Sequence, residues 1–531
     1  MSAQSSTARV APPSAWAPLR VAAFRSLWLA LLASNIGTWM QTVGAQWLLV
    51  EQSGTDTLVA VVQTASTLPI VLLAMPSGAL ADTFDRRRLL IGVQAFLVAV
   101  GVLLTILTFA QRMPPTLLLT LTFALGAGQA LTAPAWQAVI PELVPRPQLA
   151  SASALGAISM NLARAVGPAV AGVLIARTGV GVVFALNTLS FILFALVLWR
   201  WRPPATVSAA PERFAAAVRS GGRYVRHSPV VRRILLRAGL FLVPGSALWA
   251  LLPLVASRRL GLGSGGYGVL LGAVGVGAVA GALLLPQLRA RWSLNRLLLV
   301  AGVGFALVLT VLALSRSEAV VVAALLPAGV AWVMVLSSVN AAMQLFLPNW
   351  VRARGLAIYQ MVFAGAQAAG ALVWGALSDM WGLVPAHLTA AVLMLAGAAT
   401  LRWWPMRDTT GLNREPAVFW PEPHLELDPD SQDGPVLVTA SYPVSPDRAA
   451  AFVEAMEAVR RSRLRTGAVR WGLFRDGEQP DRFVEAYLVP SWDEHLRQHG
   501  GRLTGADRAV EERAQALADG PPQVSHLLSA R

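Results

Sequence analysis

Residues 89–111 read LLIGVQAFLVAVGVLLTILTFAQ and contain no charged side chain. The hydrocarbon core of a bilayer is about 30 Å thick, and about 20 apolar helical residues cross it. Only a helix or a closed barrel satisfies backbone polar groups where water is absent. A segment of this length and composition therefore predicts a transmembrane helix.

Eleven similar segments recur before residue 405, so the chain is predicted to cross a membrane twelve times. Only 13% of its 531 residues are charged, against about 25% in ordinary soluble domains. One charge, Arg164, interrupts the fifth segment. The predicted spans are residues 26–50, 57–81, 89–111, 113–141, 147–176, 178–199, 238–257, 260–288, 297–315, 319–351, 355–378 and 380–401.

Two residue types are missing, and their absence restricts the chemistry. The sequence has no Cys and no Lys, so all 43 basic residues are Arg. A Walker lysine, a Schiff base, a disulfide and a thiolate metal site therefore cannot be built. We expect no cofactor, no metal site and no catalytic residue, and we do not expect an enzyme.

The distribution of charge explains the formal net charge of +15 better than nucleic-acid binding does. Residues 435–531 carry 13 Arg and 13 acidic residues, so the excess lies between the predicted spans. With a cytoplasmic N-terminus, 21 Arg fall in the inner loops and five in the outer loops, as the positive-inside rule requires. We expect a multi-pass protein of the cell inner membrane, with both termini cytoplasmic and no nucleic-acid partner.

The chain also repeats itself weakly around its middle, as transporters built from parallel repeats do. Two sets of three residues recur with the same internal spacing. They are Gln137, Pro141 and Val144 with Gln344, Pro348 and Val351, and Gly167, Gly172 and Gly179 with Gly370, Gly375 and Gly382. Because six helices return the chain to its starting side, two six-helix copies would lie parallel.

Residues 78–88 read GALADTFDRRR and resemble the signature loop of the major facilitator superfamily, G-x-L-A-D-x-x-G-R-[KR]. The matching positions are Gly78, Leu80, Asp82, Arg86 and Arg87, while Asp85 replaces the second glycine. The resemblance implies a latch that joins the two halves in the outward-facing state, in which Asp82 faces Arg352 and Arg354. The alternative is that these arginines only set the topology.

Together these features predict an all-α polytopic membrane protein of twelve transmembrane helices in two parallel six-helix repeats, followed by a small α+β ferredoxin-like domain. The predicted regions are an N-terminal bundle at residues 1–201, a cytoplasmic linker at 202–232, a C-terminal bundle at 233–405, a tether at 406–434 and the soluble domain at 435–531. Within the linker, residues 214–225 favour a short amphipathic helix. The tether is rich in Pro, Asp and Glu and is predicted to be exposed.

The last 97 residues alternate between strand and helix patterns in the order βαββαβ, which is ferredoxin-like. They resemble the dimeric α+β barrel of cofactor-free antibiotic-biosynthesis monooxygenases, which implies a homodimer. Trp471, Trp492, His495 and His499 could line a pocket, although the two histidines at helical spacing on a charged helix are more typical of a surface. Dimerisation or ligand sensing is the favoured role of this domain, and oxidation is the alternative.

Polar side chains within the spans are candidates for a central substrate cavity, because amides rarely face lipid. Interhelical hydrogen bonding is the alternative for each of them. The guanidinium of Arg164 either binds an anionic group of the substrate or pairs with helix-end carbonyls or Glu142. The candidates are Asn35, Gln41, Gln63, Asn161, Arg164, Asn340, Gln344 and Gln367.

The predicted function is export of an amphipathic small molecule, such as a siderophore or a drug, against proton entry. The whole chain resembles the transmembrane secretion effector branch of the superfamily, which includes an enterobactin exporter. No acid lies within a span, so Glu51 and Asp379 at outer span ends are the candidates for proton coupling. A bifunctional transporter with an oxidising tail and an importer are the alternatives.

Overall fold

The computed structural model describes residues 16–52, 55–202, 214–407, 409, 411–420, 426–427, 429–430 and 433–530. The chain packs into two compact units, each described here by itself. Unit 1 comprises Met1–Pro211, Arg237–Ser338 and Gln360–Pro405, and unit 2 comprises Glu212–Leu236, Val339–Tyr359 and Met406–Arg531. This grouping crosses the domain boundaries drawn from the sequence, which stay predictions.

Twelve long helices and one shorter helix precede the tail in the described chain. Eleven of them are long and apolar enough to cross a membrane. Helix α1 has 31 residues, which is also span length, but carries more amide side chains. The helices are α1 Ala22–Gln52, α2 Asp56–Thr83, α3 Arg86–Phe109, α4 Pro115–Leu143, α5 Leu149–Thr178, α6 Val180–Arg200, α7 Phe214–His227, α8 Pro229–Leu254, α9 Ser264–Arg291, α10 Leu294–Leu314, α11 Glu318–Phe346, α12 Asn349–Trp381 and α13 Leu383–Ala399.

Two recurring glycines end equivalent helices with the same backbone conformation. Gly179 joins α5 to α6 with φ +86° and ψ 170°, and Gly382 joins α12 to α13 with φ +88° and ψ 167°. Positive φ is readily adopted only by glycine. The second set of repeated residues therefore marks the same helix–helix turn in each half.

The other repeated glycines bring equivalent helices into close contact. A methyl group at Gly167 would lie 3.0 Å from a carbonyl oxygen of α1, and one at Gly370 would lie 2.9 Å from a carbonyl oxygen of α8. In the same way Gly172 packs on α9 and Gly375 packs on α2. Helix α5 thus contacts α1 and α9 as α12 contacts α8 and α2, which confirms the two-fold repeat of six helices.

Some helices extend beyond the charge-free segments. Helix α12 begins at Asn349, so Arg352 and Arg354 lie in its first turns and not in a loop. Helix α8 begins at Pro229, within the predicted linker. A helix can continue past the hydrocarbon into the headgroup region, where arginine is tolerated. The predicted linker helix is confirmed as α7.

The tail has the predicted βαββαβ order. Its elements are β1 Val436–Pro443, α14 Ala449–Thr466, β2 Arg470–Arg475, β3 Arg482–Val489, α15 Trp492–Arg497, α16 Gly505–Gln515 and β4 Gln523–Leu528. The strands form one antiparallel sheet in the order β2-β3-β1-β4. One face of this sheet buries Ala440 and Tyr442 against Phe452 and Met456 of α14.

Residues 411–420 of the predicted tether are mostly exposed but are anchored to the tail. The backbone N–H of Ala417 donates to the carbonyl of Leu503 at 3.0 Å. The indole of Trp420 donates to a carboxylate oxygen of Glu511 at 2.7 Å. These bonds extend the domain towards the N-terminus beyond residue 435.

Candidate functional site

The signature loop is held to the first six helices by its own charged residues. The carboxylate of Asp85 accepts the backbone N–H of Arg88 at 2.8 Å and so caps α3. Arg86 pairs with Glu142 near the end of α4 at 2.6 Å. Arg87 donates to the carbonyl of Leu198 near the end of α6 at 3.0 Å. Asp85 thus has a helix-capping role where the family usually has glycine.

Of the other predicted latch residues, Leu80 belongs to unit 1, and Arg352 and Arg354 belong to unit 2. The side-chain surroundings of Gly78 and Asp82 lie outside the described residues, and Leu80 is half-buried. In unit 2, Arg352 donates to the carbonyl of Leu347 at 3.3 Å, and Arg354 donates to the hydroxyl of Ser220 at 2.9 Å. The latch itself stays a prediction.

A second set of contacts lies at the opposite ends of the helices in unit 1. The carboxylate of Asp379, near the end of α12, accepts the backbone N–H groups of Asp56 and Thr57 at 2.6 and 2.9 Å. It therefore caps the N-terminus of α2, where unpaired N–H groups and the helix dipole favour an anion. We call Asp56, Asp379 and the residues bound to them the α2 gate.

The buried member of the α2 gate is Asp56, which is 3% exposed. Its carboxylate accepts the hydroxyl of Ser378 at 2.6 Å and pairs with the guanidinium of Arg258, in the turn after α8. The α2 gate thus joins one helix of the first repeat to two helices of the second. None of the cavity candidates belongs to it.

Gln46 makes a further contact between the repeats in unit 1. Its amide donates to the carbonyl of Trp249 on α8 at 3.1 Å, and its oxygen accepts the hydroxyl of Tyr267 on α9 at 2.7 Å. One turn further along α1, Glu51 is exposed and accepts the indole N–H of Trp47 at 2.7 Å. Of the two coupling candidates, Asp379 accepts backbone N–H groups of a neighbouring helix, whereas Glu51 accepts a bond from within its own helix.

Several cavity candidates form hydrogen bonds between helices. Asn35 on α1 donates to Ser159 on α5 at 3.2 Å. The amide of Asn187 on α6 donates to Gln41 on α1. The structure also brings Gln63 on α2 and Gln367 on α12 together at 3.5 Å, one from each repeat.

The remaining amide candidates lie apart from these pairs. Asn161 is on the exposed side of α5. Asn340 and Gln344 lie in unit 2, one turn apart on α11, and Gln344 donates to Asn340 at 3.3 Å. Whether these residues contact a substrate stays a prediction.

Arg164 makes a contact that the sequence did not indicate. Its guanidinium lies 5.4 Å from the ring centre of Trp39, within cation–π range. Glu142, the suggested partner, binds Arg86 instead. The Nε atom of Arg164 is buried and has no hydrogen-bond acceptor among the described residues.

Sequence reasoning missed a second buried arginine, Arg237. It is 5% exposed and donates to the carbonyls of Gly397 and Thr400 at 3.0 and 2.9 Å and to the Thr400 hydroxyl at 2.8 Å. These groups lie where α13 ends, so Arg237 caps that helix. The signal was available, because Arg237 stands at the edge of a charge-free segment.

An apolar groove of about 520 Å³ lies on the surface of α2, α3 and α4. It is lined by Leu80, Phe84, Arg88, Phe96 and Leu131, among others. The amide candidates and Arg164 do not line it. The groove is therefore distinct from the predicted cavity.

In unit 2 the tail is tied to α7 through one carboxylate. Glu494 on α15 pairs with Arg223 of α7 at 2.6 Å and with Arg502 at 2.6 Å. Burial opposes ionisation of Glu494, but the hydrogen bonds and charges of Arg502 and Arg223 outweigh it and hold its pKa below the ordinary value. The carboxylate is therefore ionised at neutral pH.

Aromatic residues of the membrane helices complete this interface, which we call the docking face. The guanidinium of Arg502 lies 4.7 Å from the ring centre of Trp350, and Trp350 packs on Tyr224 of α7. Arg414 donates to the carbonyl of Phe346 at 2.6 Å and lies over its ring. The tail thus contacts α7, the end of α11 and the start of α12.

The interior of the tail holds buried ion pairs. Arg463, 4% exposed, binds Glu485 at 3.0 Å and Glu511 at 2.5 Å. Trp471 donates to Glu485 at 2.8 Å. These side chains occupy the space between the sheet and the helices where a monooxygenase-like pocket was considered.

The prediction of a surface position for His495 is wrong, because this residue is 0% exposed. Burial, with the nearby His499, His526 and Arg463, lowers the pKa of His495 to about 3. Burial, with the nearby His526 and Arg463, lowers the pKa of His499 to about 4. Trp492 is also buried and packs beside His495.

A family model described as transmembrane secretion effector matches residues 13–531. The chain belongs to this family of the major facilitator superfamily. It is therefore a multi-pass membrane protein of this family, and the predicted resemblance is confirmed. The chain spans 58% of the length of the macrolide efflux relative it matches.

Relatives of this chain include proteins named for efflux and siderophore export. Macrolide efflux protein A of Streptococcus pyogenes is 24% identical over 236 residues, which cover 44% of this chain and 58% of that protein. The enterobactin exporter EntS of Citrobacter koseri is 29% identical over 290 residues, which cover 53% of this chain and 67% of that protein.

Solved structures of transporters share the fold. A bacterial homologue of the human lysosomal transporter Spinster, in an inward-facing and occupied conformation, superposes with a TM-score of 0.58 at 16% identity. The match covers 73% of this chain and 96% of that structure. This similarity confirms the predicted transporter fold.

Proposed function

We propose that this protein exports an amphipathic small molecule, such as a siderophore or a drug, by alternating access and in exchange for protons. The family and the relatives named for macrolide efflux and enterobactin export support this substrate class. Parallel six-helix repeats support alternating access, because such halves rock about a site between them.

The α2 gate is the observation that carries this proposal. It ties α2 of the first repeat to α12 and to the turn after α8 of the second. Rocking of one half against the other has to break these polar contacts on one side of the membrane. An alternating transporter needs contacts of this kind, which close one entrance and open again in each cycle.

The arginine distribution supports an inner-membrane orientation with both termini cytoplasmic. In that orientation the α2 gate is on the outer side, and the signature loop is on the cytoplasmic side. Asp82 then provides the opposing latch, and Arg352 and Arg354 are its proposed partners. Glu51 and Asp379 lie on the side from which protons enter.

The tail is proposed to dock on the transporter and to respond to a ligand, with no oxygenase activity. Two observations support this role. Glu494, Arg502 and Arg414 bind the docking face through charges and rings. Arg463 and the carboxylates of Glu485 and Glu511 are buried in the interior of the domain as ion pairs.

The proposal is tested in proteoliposomes with an imposed pH gradient, using enterobactin and a labelled macrolide as probes. We expect proton-driven movement of at least one probe. Asp82→Asn should reduce transport at least tenfold without lowering insertion, because it removes the anion of the latch. Asp85→Asn is the matched control, because asparagine still caps α3.

Equal transport by the Asp82→Asn and Asp85→Asn proteins would refute the latch. Transport of both probes that ignores the direction of the pH gradient would refute proton antiport. Oxygen uptake by the full-length protein in the presence of either probe would restore the bifunctional alternative.

A further inference from the structure

Three of the six histidines in the chain meet in the tail. His495 lies on α15, His499 follows one turn later, and His526 lies on β4. The ring centres of His499 and His526 are 4.6 and 4.9 Å from that of His495. One ring nitrogen from each residue lies within 4.8 Å of the other two.

These imidazoles lack the hydrogen bonds that buried rings usually make. Both nitrogens of His495 and Nδ1 of His499 are buried without a partner among the described residues. Buried polar atoms are almost always satisfied, and an exception at a cluster of ligating groups calls for a missing partner. Three clustered imidazoles, two of them with unpartnered buried nitrogens, match the donor set of a metal ion.

We propose that His495, His499 and His526 bind one divalent first-row transition-metal ion, with Zn²⁺ as the preferred occupant. Imidazole suits Zn²⁺, and three histidines form a known type of zinc site that keeps one position open. The chain has no cysteine, so no thiolate competes for the ion. This site is independent of the proposed export function.

The geometry requires only a small rearrangement. Nitrogens that share a tetrahedral Zn²⁺ at about 2.1 Å lie roughly 3.4 Å apart. Binding therefore requires the ring nitrogens to approach each other by about an ångström. Rotation about the side-chain torsions of the half-buried His499 and His526 allows this movement.

The surroundings shield the site. The ring of Trp492 packs against His495 and that of Trp420 against His499, with centres 5.2 and 4.6 Å apart. Apolar rings around a metal site restrict solvent and limit the number of waters that bind. The two indoles thus restrict the access of solvent to the site.

The site also joins separate parts of unit 2. His526 is in β4 at the sheet edge, whereas His495 follows Glu494, which binds Arg223 of the docking face. A bound ion would fix α15 to the sheet. Metal binding is therefore expected to stabilise the contact between the tail and α7.

The test uses the full-length protein in detergent, purified without a histidine tag and stripped with EDTA. It is titrated with Co²⁺, whose tetrahedral complexes absorb in the visible range, and Zn²⁺ is then added as a competitor. We expect one Co²⁺ per chain, displacement by one Zn²⁺, and a rise in Tm on Zn²⁺ addition.

Single variants His526→Ala and His499→Ala should each weaken Zn²⁺ binding more than 100-fold, because loss of a ligand exceeds the roughly 10- to 100-fold cost of losing an outer-shell partner. His227→Ala on α7 is the matched control and should bind as the original protein does. The Tm of each EDTA-treated variant reports whether it is folded.

Absence of the Co²⁺ absorption band, or of saturable Zn²⁺ binding, in the unmodified protein would overturn the proposal. Equal Zn²⁺ affinity in a folded His526→Ala protein would also overturn it. An equal loss of binding in His227→Ala would do so too, because the ion would then be held elsewhere.

Discussion

A buried carboxylate at Asp56 depends on a partner that is itself only partly buried. The side chain of Arg258 is 44% exposed, whereas that of Asp56 is 4% exposed. Exposed ion pairs contribute little, but an ion left buried without its partner is costly. In the α2 gate, the costly event is therefore loss of the Arg258 guanidinium, because the Asp56 carboxylate would stay buried without its charged partner.

We expect Arg258→Gln to lower the free energy of unfolding by about 1–3 kcal/mol, since it leaves the Asp56 carboxylate with Ser378 alone. Adding Asp56→Asn should recover part of that loss, because the unpaired charge is removed. Thermal unfolding of the two variants and of Asp56→Asn alone measures the coupling. Additive losses would show that the pair is energetically unimportant.

The two glycines with positive φ provide a second residue-scale test. Gly179→Ala and Gly382→Ala should each cost about 1–2 kcal/mol, because a Cβ disfavours the left-handed backbone. Gly304→Ala, inside α10 with open space around it, is the control and should be neutral or stabilising. Tm values measure the effect, and a clear difference between the first two would contradict the equivalence of the repeats.

Local sequence patterns predict features such as helix turns correctly. They do not predict which distant residues contact each other. The repeated Gly179 and Gly382 were visible because glycine at a turn leaves a local signature. Asp379 is predicted only as an acid at a span end. Nothing in the sequence reveals that it caps the helix that begins at Asp56, 323 positions away. The sequence does not indicate that His526 contacts His495, because the pairing of β4 with β1 brings the two residues together.

At the scale of elements, α15 is the connection between the tail and α7. Its Glu494 is ionised at neutral pH, and its pKa in the folded protein lies below the ordinary value of 4.5. Because folding lowers the pKa of Glu494, its contribution to stability is fully present above the pKa that it has in the unfolded protein. The contribution is lost as pH falls through the pKa that it has in the folded protein. The docking face should therefore weaken only in acid, below about pH 4.5.

Glu494→Gln should lower Tm at pH 7 by a few degrees, because Arg223 and Arg502 lose a charged acceptor. The difference from the unmodified protein should shrink as pH falls below 4.5. Glu457→Gln, which removes an exposed pair with Arg460 on α14, is the control and should change Tm little at any pH. A Tm difference between Glu494→Gln and the unmodified protein that stays constant from pH 7 to below pH 4.5 would contradict an ionised Glu494.

The order of elements in the tail was predicted almost completely, because alternation and turn residues are local signals. The docking face was not predicted. Its residues come from four separate stretches of the chain, and arginines near span ends indicate only topology. The sequence places Trp350 and Phe346 in one continuous apolar segment. A side chain that a distant domain covers has no sequence pattern that distinguishes it from one that faces lipid.

At the scale of the whole molecule, the sheet face opposite α14 offers a surface for a second copy. Phe474 and Leu527 on this face are 60% and 53% exposed, and Leu437 and Leu488 extend it across neighbouring strands. Exposed apolar surface of this kind is typical of interfaces. The resemblance to dimeric barrels favours a second copy of this chain as the partner.

We expect the purified protein to be a dimer, and Phe474→Glu with Leu527→Glu to make it monomeric, because each subunit would bring buried charges to the interface. Light scattering coupled to size-exclusion chromatography measures the mass. Val453→Glu, on the exposed side of α14, is the control and should leave the dimer intact. A monomeric unmodified protein would contradict this arrangement.

The docking face also limits how such a transporter can evolve. If the tail were lost, Trp350 and Phe346 would lose the guanidiniums that cover them, and Arg223 would lose its counter-charge. Indole rings and arginines left bare beside a bilayer settle among lipid headgroups. In a descendant without the tail, these three residues would contact lipid headgroups in place of the tail, unless substitutions at the three positions accompanied the deletion.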